Sequence, residues 1–152
     1  MEPSEEVSGA RQGRVIGIDL GSKRIGVAIS DSDGAMALPY DVVHRSGDRA
    51  KDHRAVAALA EEAGAVMVVV GLPLSLDGGV GPAAQAALDE AGEMRATLGL
   101  PVETFDERLT TVSADRSLVQ MKMRADARRR VVDKVAAAVM LQAWLDSRRA
   151  RS

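Results

Sequence analysis

The sequence predicts an α/β protein in which helices cover both faces of a mixed five-stranded sheet. Three short strands of largely β-branched and apolar residues precede the first helix, and helices and strands alternate afterwards. One later strand is apolar at every position, which is typical of a strand covered on both faces. The chain has 152 residues, enough for one domain that buries roughly 70% of the surface its unfolded form exposes.

The first half of the domain is predicted to contain three strands and a helix. Residues 15–20 and 24–30 are short apolar segments, which indicates two strands. The polar turn after them favours an antiparallel third strand over 35–43, in which Pro39 indicates a sheet edge or a bulge. A helix over 48–63 places its apolar residues on one face and ends at a glycine.

The second half is predicted to alternate between strands and helices. Residues 66–70 form the continuous apolar run of a central strand. A glycine-rich loop, a helix, a short strand and two helices follow, at 71–82, 83–98, 102–105, 111–121 and 125–149. This element order is that of an RNase H-like fold. We expect a disordered leader at 1–13, the folded domain at 14–147 and a basic tail at 148–152.

The composition excludes several classes of function. The chain has no cysteine, which removes disulfides, cysteine-ligated zinc, iron–sulfur clusters and thiol nucleophiles. Its three aromatic residues are too few for a protein that reads single strands by stacking bases on aromatic side chains. Neither a signal peptide nor an apolar run of about 18 residues is present, so we expect a soluble cytoplasmic protein without a membrane segment.

The formal net charge of −2 is unevenly distributed along the chain. Residues 1–107 carry 9 basic and 18 acidic side chains, whereas residues 108–152 carry 11 basic and 4 acidic ones. Positive charge concentrated in the last third is compatible with a polyanionic ligand. A solvated helix face would produce the same pattern, and charge alone favours that plainer interpretation.

The first candidate functional residue is Asp19, the one carboxylate in an otherwise apolar strand. Burying an unpaired carboxylate is costly, so such a residue needs a cation, a metal ion or several N–H donors. Gly17 and Gly21 leave space beside it for a phosphate or a metal ion. The alternative is an aspartate that caps the turn, but the glycines and the adjacent Lys23 and Arg24 favour a functional role.

The second candidate is the acidic pair Asp106 and Glu107, at the end of the last predicted strand. Side chains alternate along a strand, so the two carboxylates point to opposite faces of the sheet. The sequence leaves open which of them faces Asp19. The alternative is a pair of surface acids at the start of a helix, with Thr110 or Thr111 as its N-cap.

The third candidate is Asp133, which precedes the apolar stretch of the last helix. The alternative is a surface ion pair with Arg129 or Arg130 at helical spacing, and Asp126, seven residues earlier, is the second choice for the same role. Together, an acid on the first strand, one beyond a later strand and one on a helix can hold divalent cations through oxygen ligands. Two such ions about 4 Å apart stabilise the attacking and leaving oxygens of a phosphodiester displacement.

The chain resembles the YqgF/RuvX family of RNase H-like nucleases, which are relatives of the Holliday-junction resolvases. Four stretches carry the resemblance, and they occur in the order of the family: GIDLGSKRIGVA at 17–28, VVGLPLSLDG at 69–78, DERLTT at 106–111 and DKVAAAVMLQ at 133–142. The resemblance spans residues 15–146, which is nearly the whole predicted domain.

The resemblance implies a cytoplasmic bacterial nuclease that uses Mg²⁺ or Mn²⁺ and matures the 5′ end of pre-16S rRNA. A resolvase of Holliday junctions is the alternative substrate assignment. Asp19 would be the strand ligand and Asp133 the helix ligand, with the acid between them supplied by Asp106 or Glu107. Where the resolvases have a glutamate at the end of the fourth strand, this chain has Gly71 and its neighbours.

The resemblance also implies contacts with a nucleic-acid backbone. The basic candidates are Lys23, Arg24 and Arg108 near the site, and Arg124, Arg128, Arg129 and Arg130 further away. A plain solvated role for each arginine stays open, as does a homodimer. His44 and His53 are interpreted as surface or loop residues, since no second histidine lies at metal-ligand spacing.

Two other classes of protein compete with a nuclease. Sugar kinases and chaperone ATPases begin with a similar Asp-x-Gly turn, but they need two such domains around ATP and this chain supplies one. A non-catalytic module that binds RNA or a ribosome-assembly or transcription partner is the stronger rival.

Overall fold

A computed structural model describes residues 13–110 and 125–151, and it places the side chains of 13–110 and 133–149. The strands are β1 Arg14–Leu20, β2 Arg24–Ser30, β3 Ala37–His44, β4 Ala65–Leu72 and β5 Val102–Asp106. The helices are α1 Arg49–Ala63, α2 Pro82–Leu98 and α3 Ala125–Arg151, and a 3₁₀ turn at Glu107–Leu109 follows β5.

The strands form one mixed sheet in the order β3-β2-β1-β4-β5. The first three strands pair antiparallel, whereas β4 and β5 run parallel to β1. The predicted mixed five-stranded sheet is therefore confirmed. The predictions for the third strand are confirmed as well, because β3 lies at an edge of the sheet and its register skips Tyr40, next to Pro39.

Two hydrophobic cores cover the two faces of the sheet, as predicted. Ile16, Ile18 and Val70 pack on one face with buried residues of α1 and α2. On the opposite face, Val69 packs with Leu141 and other buried residues of α3. Each fully buried aliphatic side chain contributes about 1.5–3 kcal/mol. Since β4 supplies residues to both cores, the continuous apolar run is explained by its central position.

Two glycines let α3 approach the sheet backbone. A Cβ atom on Gly26 of β2 would lie only 2.1 Å from the carbonyl oxygen of Asp133. A Cβ atom on Gly17 of β1 would lie 2.8 Å from Cβ of Leu141. The absence of these two side chains therefore sets the position of α3, and with it the position of Asp133.

Several predicted boundaries differ from the structure. The fourth strand continues to Leu72 and the fifth to Asp106, so Gly71 belongs to a strand and not to a loop. Gly71 pairs with Phe105, and such backbone pairing leaves no trace in a hydropathy pattern. The third strand begins at Ala37, two residues later than predicted.

Other predictions involve residues that the structure does not describe. The predicted leader has only Gly13 among the described residues, and the helix predicted over 111–121 lies outside them. The last helix continues to Arg151, so it includes most of the predicted basic tail. Of the helices described, none combines the length and the apolar character that a membrane crossing requires.

Candidate metal-binding and nuclease site

Asp19 lies near the end of β1, on the face of the sheet that α3 covers. It is two residues beyond Gly17, which faces Leu141, and it pairs in register with Gly26, which contacts the backbone of Asp133. Alternate residues of a strand share a face, so this pairing places the Asp19 side chain beside the α3 backbone. Only 6% of the residue is exposed. Asp19 is therefore a largely buried carboxylate at the junction of β1, β2 and α3.

The turn after β1 depends on a glycine. The Gly21 N–H donates to the carbonyl oxygen of Asp19 at 3.1 Å and to that of Arg24 at 3.0 Å. A Cβ atom at position 21 would lie 2.6 Å from the Arg24 carbonyl oxygen. The chain can therefore reverse directly after Asp19, and this reversal brings Lys23 and Arg24 close to it in the fold.

Glu107 lies over Gly71, on the same face as Asp19. A Cβ atom on Gly71 would lie 2.9 Å from Oε2 of Glu107. Val70 pairs with Ile18 in the parallel β1–β4 ladder, so Gly71 is the next position along and is level with Asp19. Neighbouring strands lie about 4.8 Å apart. The Glu107 carboxylate therefore reaches the space beside Asp19 by crossing a strand position that has no side chain.

Asp106 is arranged differently from its neighbour. Its Oδ1 accepts a hydrogen bond from the backbone N–H of Arg108 at 2.9 Å, which caps the 3₁₀ turn. Its Oδ2 lies 2.7 Å from the Arg108 guanidinium, and this hydrogen bond holds the pKa of Asp106 below its ordinary range. The alternative interpretation, acids at the start of a helix, fits Asp106, but Asp106 itself is the N-cap of the turn and Thr110 is its C-cap. Glu107 instead lies over Gly71. In addition, Arg108 donates to the Leu76 carbonyl at 3.3 Å.

Asp133 is 8% exposed and pairs with a cation from a distant part of the chain. Nε of Arg24 donates to its Oδ2 at 2.6 Å, across 109 residues of sequence. Among the side chains that the structure places, a partner of Asp133 therefore comes from β2. The side chains of Asp126, Arg128, Arg129 and Arg130 are not among those the structure places, and Arg124 lies outside the described residues.

Of the predicted acids, Asp19 and Glu107 lie on the sheet face that α3 covers and Asp133 lies on α3, but they do not form a group of metal ligands. Among the described residues, no three Asp, Glu, His or Cys side chains come close enough together to hold a metal ion. Arg24 lies on Asp133 instead. The donors are nevertheless all carboxylate oxygens, which are the ligands that Mg²⁺ and Mn²⁺ prefer. The donor chemistry of Asp19, Glu107 and Asp133 fits a hard divalent cation.

A second polar cluster lies on the other side of the sheet and was not predicted. Glu90 of α2 is 6% exposed and accepts two hydrogen bonds from the guanidinium of Arg45, at 2.9 and 3.0 Å. Nε2 of His53 lies 2.7 Å from the same carboxylate. Burial by itself raises the pKa of Glu90. Hydrogen bonds from Arg45 and His53 lower it by more, so the pKa of Glu90 lies below its ordinary value.

The interpretation of His53 as a surface or loop residue is therefore wrong. The residue is 1% exposed, because it lies on the inner face of α1 where Glu90 is its polar partner. His44 is exposed, as expected. The sequence contained one sign that Glu90 is buried and could be a partner for His53. Glu90 has the same helical spacing as the apolar residues Ala87, Ala91 and Met94, which α2 buries.

The five-stranded mixed sheet with helices on both faces defines an RNase H-like fold. The chain is similar in structure to RuvC of Thermus thermophilus in complex with a Holliday junction substrate, with a TM-score of 0.55 and 18% sequence identity. This likeness covers 90% of this chain and 96% of RuvC. A second Thermus thermophilus RuvC structure gives a TM-score of 0.54 at 19% identity, with the same coverage.

The chain belongs to the RuvX family, which is described as "Holliday junction resolvase" and whose model matches residues 13–147. The resemblance found in the sequence is therefore confirmed. A protein of Mycobacterium sp. (strain KMS) is 50% identical over 140 residues, which cover 91% of this chain and 83% of that protein. A protein of Mycobacterium ulcerans (strain Agy99) is 48% identical over 150 residues, covering 97% and 87%. Both relatives are named "Putative pre-16S rRNA nuclease".

Proposed function

We propose that the protein is a metal-dependent nuclease that hydrolyses a phosphodiester bond in maturing the 5′ end of pre-16S rRNA. The observation that carries the proposal is the position of Glu107 over Gly71, beside Asp19 and on the face that Asp133 also borders. Membership of the RuvX family and the names of the mycobacterial relatives support the reaction and the substrate. We infer from such a substrate that the protein acts in the cytoplasm.

The three acids would be the ligands of the divalent ions. Asp19 would hold a cation from the sheet and Glu107 from the end of β5, while Asp133 would complete the site from α3. Bound Mg²⁺ or Mn²⁺ would supply positive charge at the attacking and leaving oxygens of the phosphodiester. Since Glu107 fills the space over Gly71, it would supply the carboxylate that the resolvases have at the end of the fourth strand.

The basic residues near the site have separate tasks in this proposal. Lys23 is exposed on the β1–β2 turn and would contact a phosphate beside the cleaved bond. Arg24 neutralises Asp133 and would turn to the substrate once a cation takes its place. Arg108 fixes Asp106 and the loop after β4, so its effect on the backbone of the substrate would be indirect. Arg124 and Arg128–Arg130 would contact more distant phosphates, with a strong dependence on salt.

Cleavage assays on three labelled substrates test the proposal: a pre-16S rRNA fragment, an unrelated single-stranded RNA and a four-way DNA junction. Each substrate is incubated with Mg²⁺, Mn²⁺ or EDTA. The Asp19→Asn variant is compared with Asp89→Asn, which changes an exposed acid on α2. We expect metal-dependent cleavage of the rRNA fragment that is lost in Asp19→Asn and kept in Asp89→Asn.

Resolution of Holliday junctions is the second candidate function, because the matched family is described by that activity. Preferential cleavage of the four-way junction would favour it over rRNA maturation. If Asp19→Asn and the wild type gave equal background on all three substrates, the proposed nuclease would be refuted. A non-catalytic RNA-binding role would then explain the chain better.

A further inference from the structure

The turn between β1 and β2, residues 21–23, is held by a residue outside both strands. Arg45 follows β3 directly, and its Nε donates to the Gly21 carbonyl oxygen at 2.8 Å. The backbone N–H of Arg45 donates to the Lys23 carbonyl oxygen at 2.9 Å. One residue thus binds two of the three carbonyls of the turn that joins Asp19 to Arg24.

Arg45 is itself oriented by helices on the face of the sheet opposite α3. Its guanidinium makes a two-pronged pair with the Glu90 carboxylate of α2, and His53 of α1 contacts the same carboxylate at 2.7 Å. Two parallel hydrogen bonds fix the plane of a guanidinium as well as its distance. The side chains of Arg45 and Glu90 are only 18% and 7% exposed, so solvent screens the pair little.

The net stability gained from such a cluster does not explain its presence. A buried ion pair often contributes no more to stability than apolar side chains of the same volume would. Glu90 nevertheless lies on the buried face of α2, in line with Ala87, Ala91 and Met94. A buried polar cluster can instead select one conformation among several, and the conformation that this cluster reaches is that of the β1–β2 turn.

We propose that Glu90, acting through Arg45, is a positioning residue for the nuclease site. It holds the β1–β2 turn so that Asp19, near the end of β1, and Arg24, at the start of β2, keep their places near Asp133. The proposal rests on the nuclease function proposed above. It assigns to α1 and α2 a role in the site, although both helices lie on the opposite face of the sheet.

Hydrogen exchange and metal titration of the full-length Glu90→Gln variant test the proposal. The Gly21 N–H donates within the turn, so its exchange rate reports opening of the turn. The Mg²⁺ concentration at half-maximal cleavage and Mg²⁺ binding by calorimetry report the site. We expect both the exchange rate and the Mg²⁺ midpoint to rise about tenfold, within the range for loss of a residue that orients a metal ligand.

Two control variants separate positioning from a loss of stability. Ala91→Gly weakens the same helix at the next buried position, and Glu93→Gln removes an exposed carboxylate that pairs with Arg49. Neither substitution changes a group bonded to Arg45. Each protein is measured at the same number of degrees below its own melting temperature. We expect the Gly21 exchange rate and the Mg²⁺ midpoint of both controls to equal those of the wild type under this condition.

The Arg45→Lys variant keeps the charge but loses the two-pronged geometry, so it should reproduce both changes if Glu90→Gln folds poorly. Unchanged Gly21 exchange, or an unchanged Mg²⁺ midpoint despite faster exchange, would overturn the positioning role. A wild-type protein that neither cleaves nor binds Mg²⁺ would refute the nuclease function itself. The Gly21 exchange rates would then decide by themselves whether Glu90 holds the turn.

Discussion

Arg24 and Asp133 are joined by a 2.6 Å hydrogen bond between Nε and Oδ2, although 109 residues separate them in the sequence. The pair connects β2 to α3 at the point where Gly26 lets the helix backbone touch the sheet. It also occupies the carboxylate that the proposed nuclease needs as its helix ligand. Arg24 therefore acts as a counter-ion of Asp133.

Replacing Arg24 by glutamine should destabilise the metal-free protein more than the Mg²⁺-bound protein. Asp133 is only 8% exposed, so the substitution removes a cation from a carboxylate that solvent screens little. We expect the free energy of unfolding in EDTA to fall by up to about 3 kcal/mol, the lower end for breaking a buried pair. Urea denaturation with and without Mg²⁺ measures both values.

Glu93→Gln is the matched control for that experiment. It breaks the Arg49–Glu93 pair, whose two side chains are about half exposed, and exposed pairs contribute at most about 1 kcal/mol. If Arg24→Gln lowered the free energy of unfolding equally with and without Mg²⁺, the idea that a bound cation replaces Arg24 as the counter-ion of Asp133 would be contradicted.

The adjacent acids Asp106 and Glu107 should differ sharply in their effect on catalysis. Glu107→Gln removes the carboxylate over Gly71. Loss of a residue that only orients a metal ligand costs up to about 100-fold, so we expect loss of the ligand Glu107 to lower kcat by at least that factor. Asp106→Asn weakens a turn cap and an ion pair with Arg108, so it should lower the melting temperature and leave kcat close to that of the wild type. Single-turnover cleavage and thermal unfolding of both variants check this, and equal losses of kcat would contradict it.

Alanine substitutions at two glycines should change stability in opposite directions. At Gly26 the new Cβ would lie 2.1 Å from the Asp133 carbonyl oxygen, so we expect a loss at or above about 3 kcal/mol, the upper end for overpacking. At Gly92, in the middle of α2, no heavy atom of the described residues outside the helix lies within 4 Å of the new Cβ. There the gain in helix propensity should add roughly 0.5–1 kcal/mol.

Differential scanning calorimetry of the two variants decides between them. The Gly92→Ala protein should melt about 1–4 °C higher than the wild type, as expected for a domain of this size. A Gly26→Ala protein as stable as the wild type would show that α3 does not approach β2 as closely as the structure indicates.

Acidification should remove the contribution of Glu90 to stability. Hydrogen bonds from Arg45 and His53 hold the pKa of Glu90 below its ordinary value, so the folded state binds its proton less readily than the unfolded chain does. The contribution is therefore complete above the ordinary glutamate pKa of about 4.3 and is lost as the pH falls through the lower pKa of the folded protein. Wild type should exceed Glu90→Gln in stability at pH 7, and the difference should shrink below about pH 4.3.

Urea unfolding of both proteins between pH 7 and pH 3 measures this difference. A constant difference in the free energy of unfolding across that range would show that the ionised form of Glu90 is not favoured in the folded protein. The Glu93→Gln variant, which lacks an exposed carboxylate, should show little change in the same series.

The strands and helices were predictable because their signals are local. Pro39 indicated a sheet edge or a bulge, and the apolar run of the fourth strand indicated its central position; the structure confirms both predictions. The ends of β4 and β5 were placed too early, since Gly71 and Asp106 extend the strands through backbone pairing and not through side-chain hydropathy. His53 was misjudged because its partner Glu90 lies on another helix.

The sequence by itself determined the α/β class, the family, and Asp19, Asp133 and the Asp106–Glu107 pair as candidates for the site. Only the tertiary structure decided that Glu107 lies over Gly71, on the sheet face of Asp19, while Asp106 caps a turn, and that Asp133 pairs with Arg24. The physical reason is that periodicity and turn preferences are set by neighbouring residues. The position of a carboxylate depends on strand register, on a glycine in the adjacent strand and on partners about a hundred residues away.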